Sequence, residues 1–205
     1  VADAAMPPDW VTSVVESVGE VGVGLLILLE NVIPPVPSEV VLPFAGYAVL
    51  LGELDALLVW TTATLGSLVG AWLLYGVGAA LGHDRLDRLA TKRWFVLFGS
   101  SDLERGRRWF DRHGEAVVLF GRFVPLVRSI VSVPAGNTGM PLLRFSLLTA
   151  LGSGVWNALF LWLGYRLGDR WETVGRYLEP VSRALLVVVV VGLVVLVVRR
   201  VRQPS

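Results

Sequence analysis

Residues Leu28–Gly46 read LLENVIPPVPSEVVLPFAG, an apolar run that holds Pro34, Pro35, Pro37 and Pro43 together with two carboxylates, Glu30 and Glu39. Each proline inside a helix deletes a backbone hydrogen bond and clashes with the preceding turn, at a cost of about 3 kcal/mol. One straight helix cannot pass through this stretch. The sequence predicts two half-helices folded back on one another over residues 22–52, with the tip at Pro34–Ser38. Irregular backbone at membrane depth is tolerated only where protein or a wet cavity covers it, so this re-entrant hairpin is expected inside a helical bundle.

The flanking sequence supplies the bundle. Of 205 residues, 54% are hydrophobic and 17% charged, more apolar surface than a soluble domain of that length can bury. Ala56–Gly82 and Phe145–Tyr165 contain no charged residue. Each exceeds the roughly 20 residues that cross a bilayer and is read as a transmembrane helix. Ala184–Val198 is all Ala, Leu, Val and Gly, and reaches spanning length over residues 181–198 if Arg183 snorkels. Glu115–Leu143 repeats the opening pattern, with Pro125, Pro134 and Pro141 breaking an apolar run that holds Arg122 and Arg128, and predicts a second hairpin over residues 115–143. The order is then an interfacial segment (1–21), a core (22–168), and a polar stretch leading to the C-terminal helix and a basic tail (169–205).

Between the halves, residues 83–114 alternate charge with Leu86, Leu89, Trp94, Phe95, Leu103, Trp109 and Phe110, which predicts two interfacial helices. This linker collects Arg85, Arg88, Lys92, Arg93, Arg105, Arg107, Arg108 and Arg112, and the tail collects Arg199, Arg200 and Arg202. The positive-inside rule places both in the cytoplasm. The formal charge of +1 argues against a nucleic-acid partner. Cysteine is absent, which removes disulfides and thiolate chemistry, and both histidines, His83 and His113, lie in the linker. Asp3, Asp9, Glu16 and Glu20 stand where a signal peptide would carry its basic region, so insertion is expected to use internal helices.

The two halves echo one another in order. PFAG (Pro43–Gly46) returns as PAG (Pro134–Gly136), LGS at Leu65–Ser67 as LGS at Leu151–Ser153, and LGHDR at Leu81–Arg85 as LGDR at Leu167–Arg170. With linker and tail on one side, the two spanning helices run in opposite directions. The predicted fold is an all-α membrane protein of two inverted repeats, each a re-entrant helical hairpin plus a transmembrane helix, the plan of many secondary transporters. Interfacial amphipathic helices and a C-terminal transmembrane helix complete it. Small-residue motifs also recur by chance in membrane helices, which is the competing explanation of the echoes.

Glu30, Glu39, Arg122 and Arg128 are the ionisable residues of the two broken segments. Each costs roughly 2.5 to 3.5 kcal/mol at bilayer depth, so they are expected to pair or to face water. Glu30 and Glu39 are nine residues apart and Arg122 and Arg128 six apart, spacings that converge only if the chain bends at Pro34, Pro35, Pro37, Pro125 and Pro134. Arginine offers a permanent bidentate fork for phosphate. A carboxylate withdrawn from water takes up protons more readily, as a proton-coupled transporter requires. Arg122 and Arg128, with Asn137, are accordingly assigned to an anionic head group and Glu30 and Glu39 to proton exchange. A static salt-bridge cluster is the structural alternative. Asn31, Ser38, Ser129, Thr138 and Asn157 either line the same cavity or make interhelical hydrogen bonds.

At these residues the sequence resembles the DedA (VTT-domain) family. LLENVIPPVPSEVVLPFAG (Leu28–Gly46) is similar to its first signature, and GRFVPLVRSIVSVPAGNTGMP (Gly121–Pro141) to its second, with the paired arginines. Glu39 stands where relatives often carry aspartate. The resemblance implies a multi-pass protein of the bacterial cytoplasmic membrane that translocates a lipid carrier, an anionic polyprenyl phosphate such as undecaprenyl phosphate. No cofactor is expected beyond a proton gradient as energy source, and homo-oligomer formation is left open. A general phospholipid scramblase or a small-ion transporter on the same scaffold is the alternative. A membrane enzyme is disfavoured, because neither histidine falls within the broken segments.

Overall fold

The computed structural model of the chain describes residues 9–32, 38–90, 100–125 and 127–170. Pro34, Pro35 and Pro37 lie outside the described residues, as do the expected 181–198 helix and the basic tail. Among the described residues every regular element is a helix: α1 (Asp9–Val18), α2 (Glu20–Val32), α3 (Ser38–Leu51), α4 (Ala56–Ala90), α5 (Ser100–Gly121), α6 (Val127–Ile130), α7 (Ser132–Asn137) and α8 (Leu142–Leu167). A short 3-10 turn, Gly168–Arg170, follows.

α4 and α8 set the frame. Ala56–Leu81 and Leu142–Leu167 are each 26 residues long and apolar enough to cross a membrane. At 1.5 Å per residue each reaches about 39 Å, beyond the roughly 30 Å hydrocarbon core. They run antiparallel: Trp60 Nε1 donates to the Gly154 carbonyl at 2.8 Å, Trp72 Nε1 to Ser146 Oγ at 2.8 Å, and the Tyr75 hydroxyl to the Met140 carbonyl at 2.6 Å. On α8, Phe145, Thr149, Gly152, Trp156 and Phe160 are buried at helical spacing, while Leu147, Leu151, Val155, Leu159 and Trp162 form an exposed stripe. A continuous apolar stripe of this kind belongs against lipid. The protein is a membrane protein.

The shorter helices pack on this frame in an alternating way. α2 lies on α4 and α5 on α8, whereas α3 lies on α8 and α7 on α4. Glycines permit the close crossings. A Cβ added at Gly46 of α3 would collide with the Leu161 carbonyl of α8, and one at Gly164 of α8 with the Pro43 carbonyl of α3. The same contact recurs with partners exchanged: Gly136 of α7 abuts the Tyr75 carbonyl of α4, and Gly78 of α4 the Val133 carbonyl of α7. α3 and α7 also end alike. Gly52 (φ +77°) and Gly139 (φ +71°) take the left-handed conformation, and Glu53 N–H returns to the Ala48 carbonyl as Met140 N–H does to that of Ala135.

Several boundaries differ from the sequence expectation. α4 does not stop at Gly82 but runs to Ala90, and α5 runs from the linker to Gly121 as one helix. No proline interrupts residues 100–121, so the hydrogen-bond ladder of α5 closes only at the tight turn Arg122–Pro125. The arm beyond that turn is two short helices rather than one. Pro134 is the third residue of α7, a first-turn position where a missing N–H is tolerated, and does not itself mark a break. Pro43 likewise sits inside α3. Its cost is the hydrogen bond that the Glu39 carbonyl would otherwise accept.

Along both long apolar helices the core is interrupted at mid-length. On α4, Val59 and Ala63 belong to one buried cluster and Ala71 to another, with Ser67 between them. On α8, Phe145 belongs to the second cluster and Trp156 and Phe160 to the first, with Thr149 and Ser153 between. A polar layer therefore crosses the bundle between two apolar clusters, where burial without partners is costly.

Candidate functional site

Glu30, Glu39, Arg122 and Arg128 all lie in the interior, at 7%, 6%, 1% and 6% exposure. Glu30 occupies the last turn of α2, where the helix dipole disfavours negative charge. Its compensation comes from the other half of the chain. Arg128, on the one-turn helix α6, makes an ion pair with Glu30 Oε1 and donates from Nη2 to Ser38 Oγ at 2.9 Å. Ser38 N–H also donates to Glu30 Oε1, at 2.9 Å. Eight residues separate Glu30 from Ser38, about 12 Å on a continuous helix, so this bond shows that α2 and α3 are not parts of one straight helix.

Arg122 directly follows α5 and makes no ion pair among the described residues. Its guanidinium donates from Nη1 to the Arg128 carbonyl at 2.5 Å, and from Nη2 to Thr149 Oγ1 at 3.0 Å and Ser132 Oγ at 3.2 Å. Its Cζ lies 5.6 Å from the centroid of the Phe145 ring, a cation–π contact. These partners are neutral, so the positive charge of Arg122 is solvated by dipoles rather than cancelled. The Arg122–Arg128 link also fixes the turn that carries Pro125, because one arginine's fork grips the other's backbone.

Glu39 has no ion-pair partner among the described residues either. It lies in the first turn of α3, where the helix dipole favours a carboxylate. The expected neutralisation of two acids by two bases is thus realised once, between Glu30 and Arg128. Three buried polar atoms here find no hydrogen-bond partner among the described residues: Glu30 Oε2, Arg122 Nε and Asn137 Nδ2. Trp156 Nε1 and Asn157 Oδ1 are left over in the same way. Buried polar groups are normally satisfied, and Glu30 Oε2 and Arg122 Nε, whose side chains are linked through Arg128, are an acceptor and a donor that a proton and an anion would complete.

Asn31 donates to the Ile27 carbonyl at 3.0 Å within its own helix. Thr138 donates to the Pro134 carbonyl at 2.9 Å. Asn157 reaches Thr64 at 3.3 Å across α4 and α8, so these three serve helix contacts. Ser132, Thr149 and Phe145, which hold Arg122, carry no charge and were not legible as site residues. Their available signal was spacing: Phe145 and Thr149 are four residues apart on the buried face of α8.

Against known proteins, the chain matches the VTT domain family over residues 13–166. It is 38% identical over 196 residues to the "Alkaline phosphatase-like protein" of Lactococcus lactis subsp. cremoris, covering 93% of this chain and 92% of that protein. It is 32% identical over 191 residues to "Undecaprenyl phosphate transporter A" of Staphylococcus aureus, covering 92% and 94%. The protein of the same name from Bacillus subtilis is 31% identical over 195 residues, covering 93% and 92%. No solved structure matches the chain.

Proposed function

The chain belongs to the VTT domain, or DedA, family, and on that premise we propose that it is a proton-coupled translocase of an anionic polyprenyl phosphate such as undecaprenyl phosphate. The observation that carries the reading is the buried Glu30–Arg128 pair, which joins the two halves of the chain inside the bundle. A phosphate monoester competes with the Glu30 carboxylate for the same guanidinium and, being bidentate and more highly charged, displaces it. The released carboxylate sits in a low-dielectric site and takes up a proton, which keeps the loaded site close to neutral. Substrate and proton then travel together. When phosphate leaves, Glu30 returns to Arg128 and gives up its proton. Arg122 presents a second guanidinium with Nε free for a phosphate oxygen, and Glu39 offers a second carboxylate.

In this reading the chain is a multi-pass protein of two inverted, re-entrant repeats. The reciprocal glycine contacts of α3 with α8 and of α7 with α4 support it, as do the matching ends at Gly52 and Gly139. An inverted repeat allows the two halves to exchange roles, which opens the site to one side and then the other.

The phosphatase suggested by the name of the Lactococcus relative shares the substrate chemistry, a phosphate monoester, but asks for a nucleophile or a metal beside the arginines. Among the described residues no three His, Cys, Asp or Glu side chains cluster to hold an ion. The measurement that separates these readings is leaflet accessibility of undecaprenyl phosphate in proteoliposomes at two pH values, with inorganic phosphate assayed in parallel. Translocation that Arg128→Ala abolishes, and whose pH response Glu30→Gln removes, is the expected result. Phosphate release without lipid movement overturns it.

A further inference from the structure

A second polar feature lies away from the buried arginines. Between α5 and the turn joining α7 to α8 is a cleft of about 660 Å³, within the range of small-ligand sites. Its lining carries Asp111, Arg112, His113, Glu115 and Arg144, together with Phe110 and Met140. The Met140 carbonyl accepts from the Tyr75 hydroxyl, the Tyr75 ring lies 4.9 Å from that of Phe145, and Phe145 faces Arg122. One end of this column is the cleft and the other is the candidate site. His113 and Gly121 are eight residues apart on α5, so about 12 Å separates the two levels.

We infer that this cleft is a docking site for the phosphate monoester of a lipid, on the path of the head group to or from Arg122. The inference rests on the translocase reading above. Arg144 Nη1 contacts Glu115 Oε1 at 2.6 Å, but both side chains are more than half exposed, at 61% and 58%. Such a pair is weak, and a phosphate takes its arginine. Glu115 is then a placeholder that keeps Arg144 aimed across the cleft. His113 Nδ1–H donates to the Trp109 carbonyl at 3.2 Å, which orients the ring and leaves Nε2 for a ligand. The ligand is assigned as a lipid rather than free phosphate because the cleft opens beside apolar surface. Leu143 and Leu147, one turn apart on α8, and Trp109 on α5 are all exposed, and a hydrocarbon chain would lie against them.

The test titrates farnesyl phosphate, farnesol and inorganic phosphate against the full chain in nanodiscs, and measures translocation at limiting lipid on the same variants. Arg144→Gln is expected to weaken farnesyl phosphate at least about tenfold, the loss typical of a charge-assisted contact. Glu115→Gln is expected to tighten it by about threefold, because it frees the arginine. Opposite responses at neighbouring positions cannot come from misfolding. Native protein that moves lipid phosphate while both substitutions leave affinity and rate unchanged overturns the docking site and leaves the translocase reading standing. Inorganic phosphate binding as tightly as farnesyl phosphate overturns the lipid assignment. Native protein that neither binds nor moves lipid phosphate overturns both.

Discussion

Arg128 holds three partners at once: Glu30 and Ser38 from the first half of the chain through its side chain, and Arg122 through its carbonyl. Removing one member of a buried pair strands the other, at about 3–5 kcal/mol. Arg128→Leu should therefore lower the thermal unfolding temperature in detergent markedly, and adding Glu30→Gln should recover at least half of that loss because the stranded charge is gone. Translocation should stay absent in both proteins, which separates the stability role of the pair from its transport role. Arg122→Lys should behave differently. An ammonium is a point charge without the planar fork that reaches the Arg128 carbonyl, Thr149 and Ser132 together, so transport should fall at least about tenfold although the charge is kept. The four charges were legible in the sequence because ionisable residues in apolar runs demand an explanation. Which acid met which base was not. That choice depends on how α3 is set against α2 and on the turn that places α6, and letters alone carry neither. The hydroxyls of Ser132 and Thr149 left still less trace, since small polar residues are ordinary in membrane helices.

At the scale of elements, the close crossings of α3 on α8 and α7 on α4 rest on glycines whose neighbours are backbone carbonyls rather than side chains that can yield. Gly78 and Gly76 on α4 make a matched comparison. A methyl at Gly78 meets the Val133 carbonyl, whereas one at Gly76 has nothing within 4 Å. Gly78→Ala should destabilise by about 1–3 kcal/mol, the usual penalty for overpacking. Gly76→Ala should be neutral or stabilising by up to about 1 kcal/mol, from helix propensity alone. Equal effects on unfolding temperature would show that the α4–α7 crossing does not govern stability. The sequence echo between PFAG and PAG pointed to these positions, since Gly46 and Gly136 close the two motifs. The proline count was the poorer guide. It marks where a straight helix is costly but not whether the chain turns there, and Pro43 and Pro134 both lie within helices.

For the whole molecule, the antiparallel frame makes a statement about sides. The turn Gly52–Asp55 precedes α4 and the turn Gly168–Arg170 follows α8, and a Cβ on Gly168 would lie 3.2 Å from Leu50, so both turns share one end. His113, Gly139 and Arg144 line the cleft at the other end, which the basic linker enters. The positive-inside rule predicts that this second end faces the cytoplasm. Because the sequence contains no cysteine, single replacements report without background. A membrane-impermeant maleimide added to spheroplasts should label Glu53→Cys and Arg170→Cys, and should reach Gly139→Cys only after the membrane is opened. Labelling of Glu53→Cys and Gly139→Cys from the same face would mean that α4 and α8 do not both cross, and with them would go the placement of the Glu30–Arg128 pair inside a membrane-spanning bundle. Glu53 lies in the turn before α4, away from that pair, so its label reports topology rather than a damaged site.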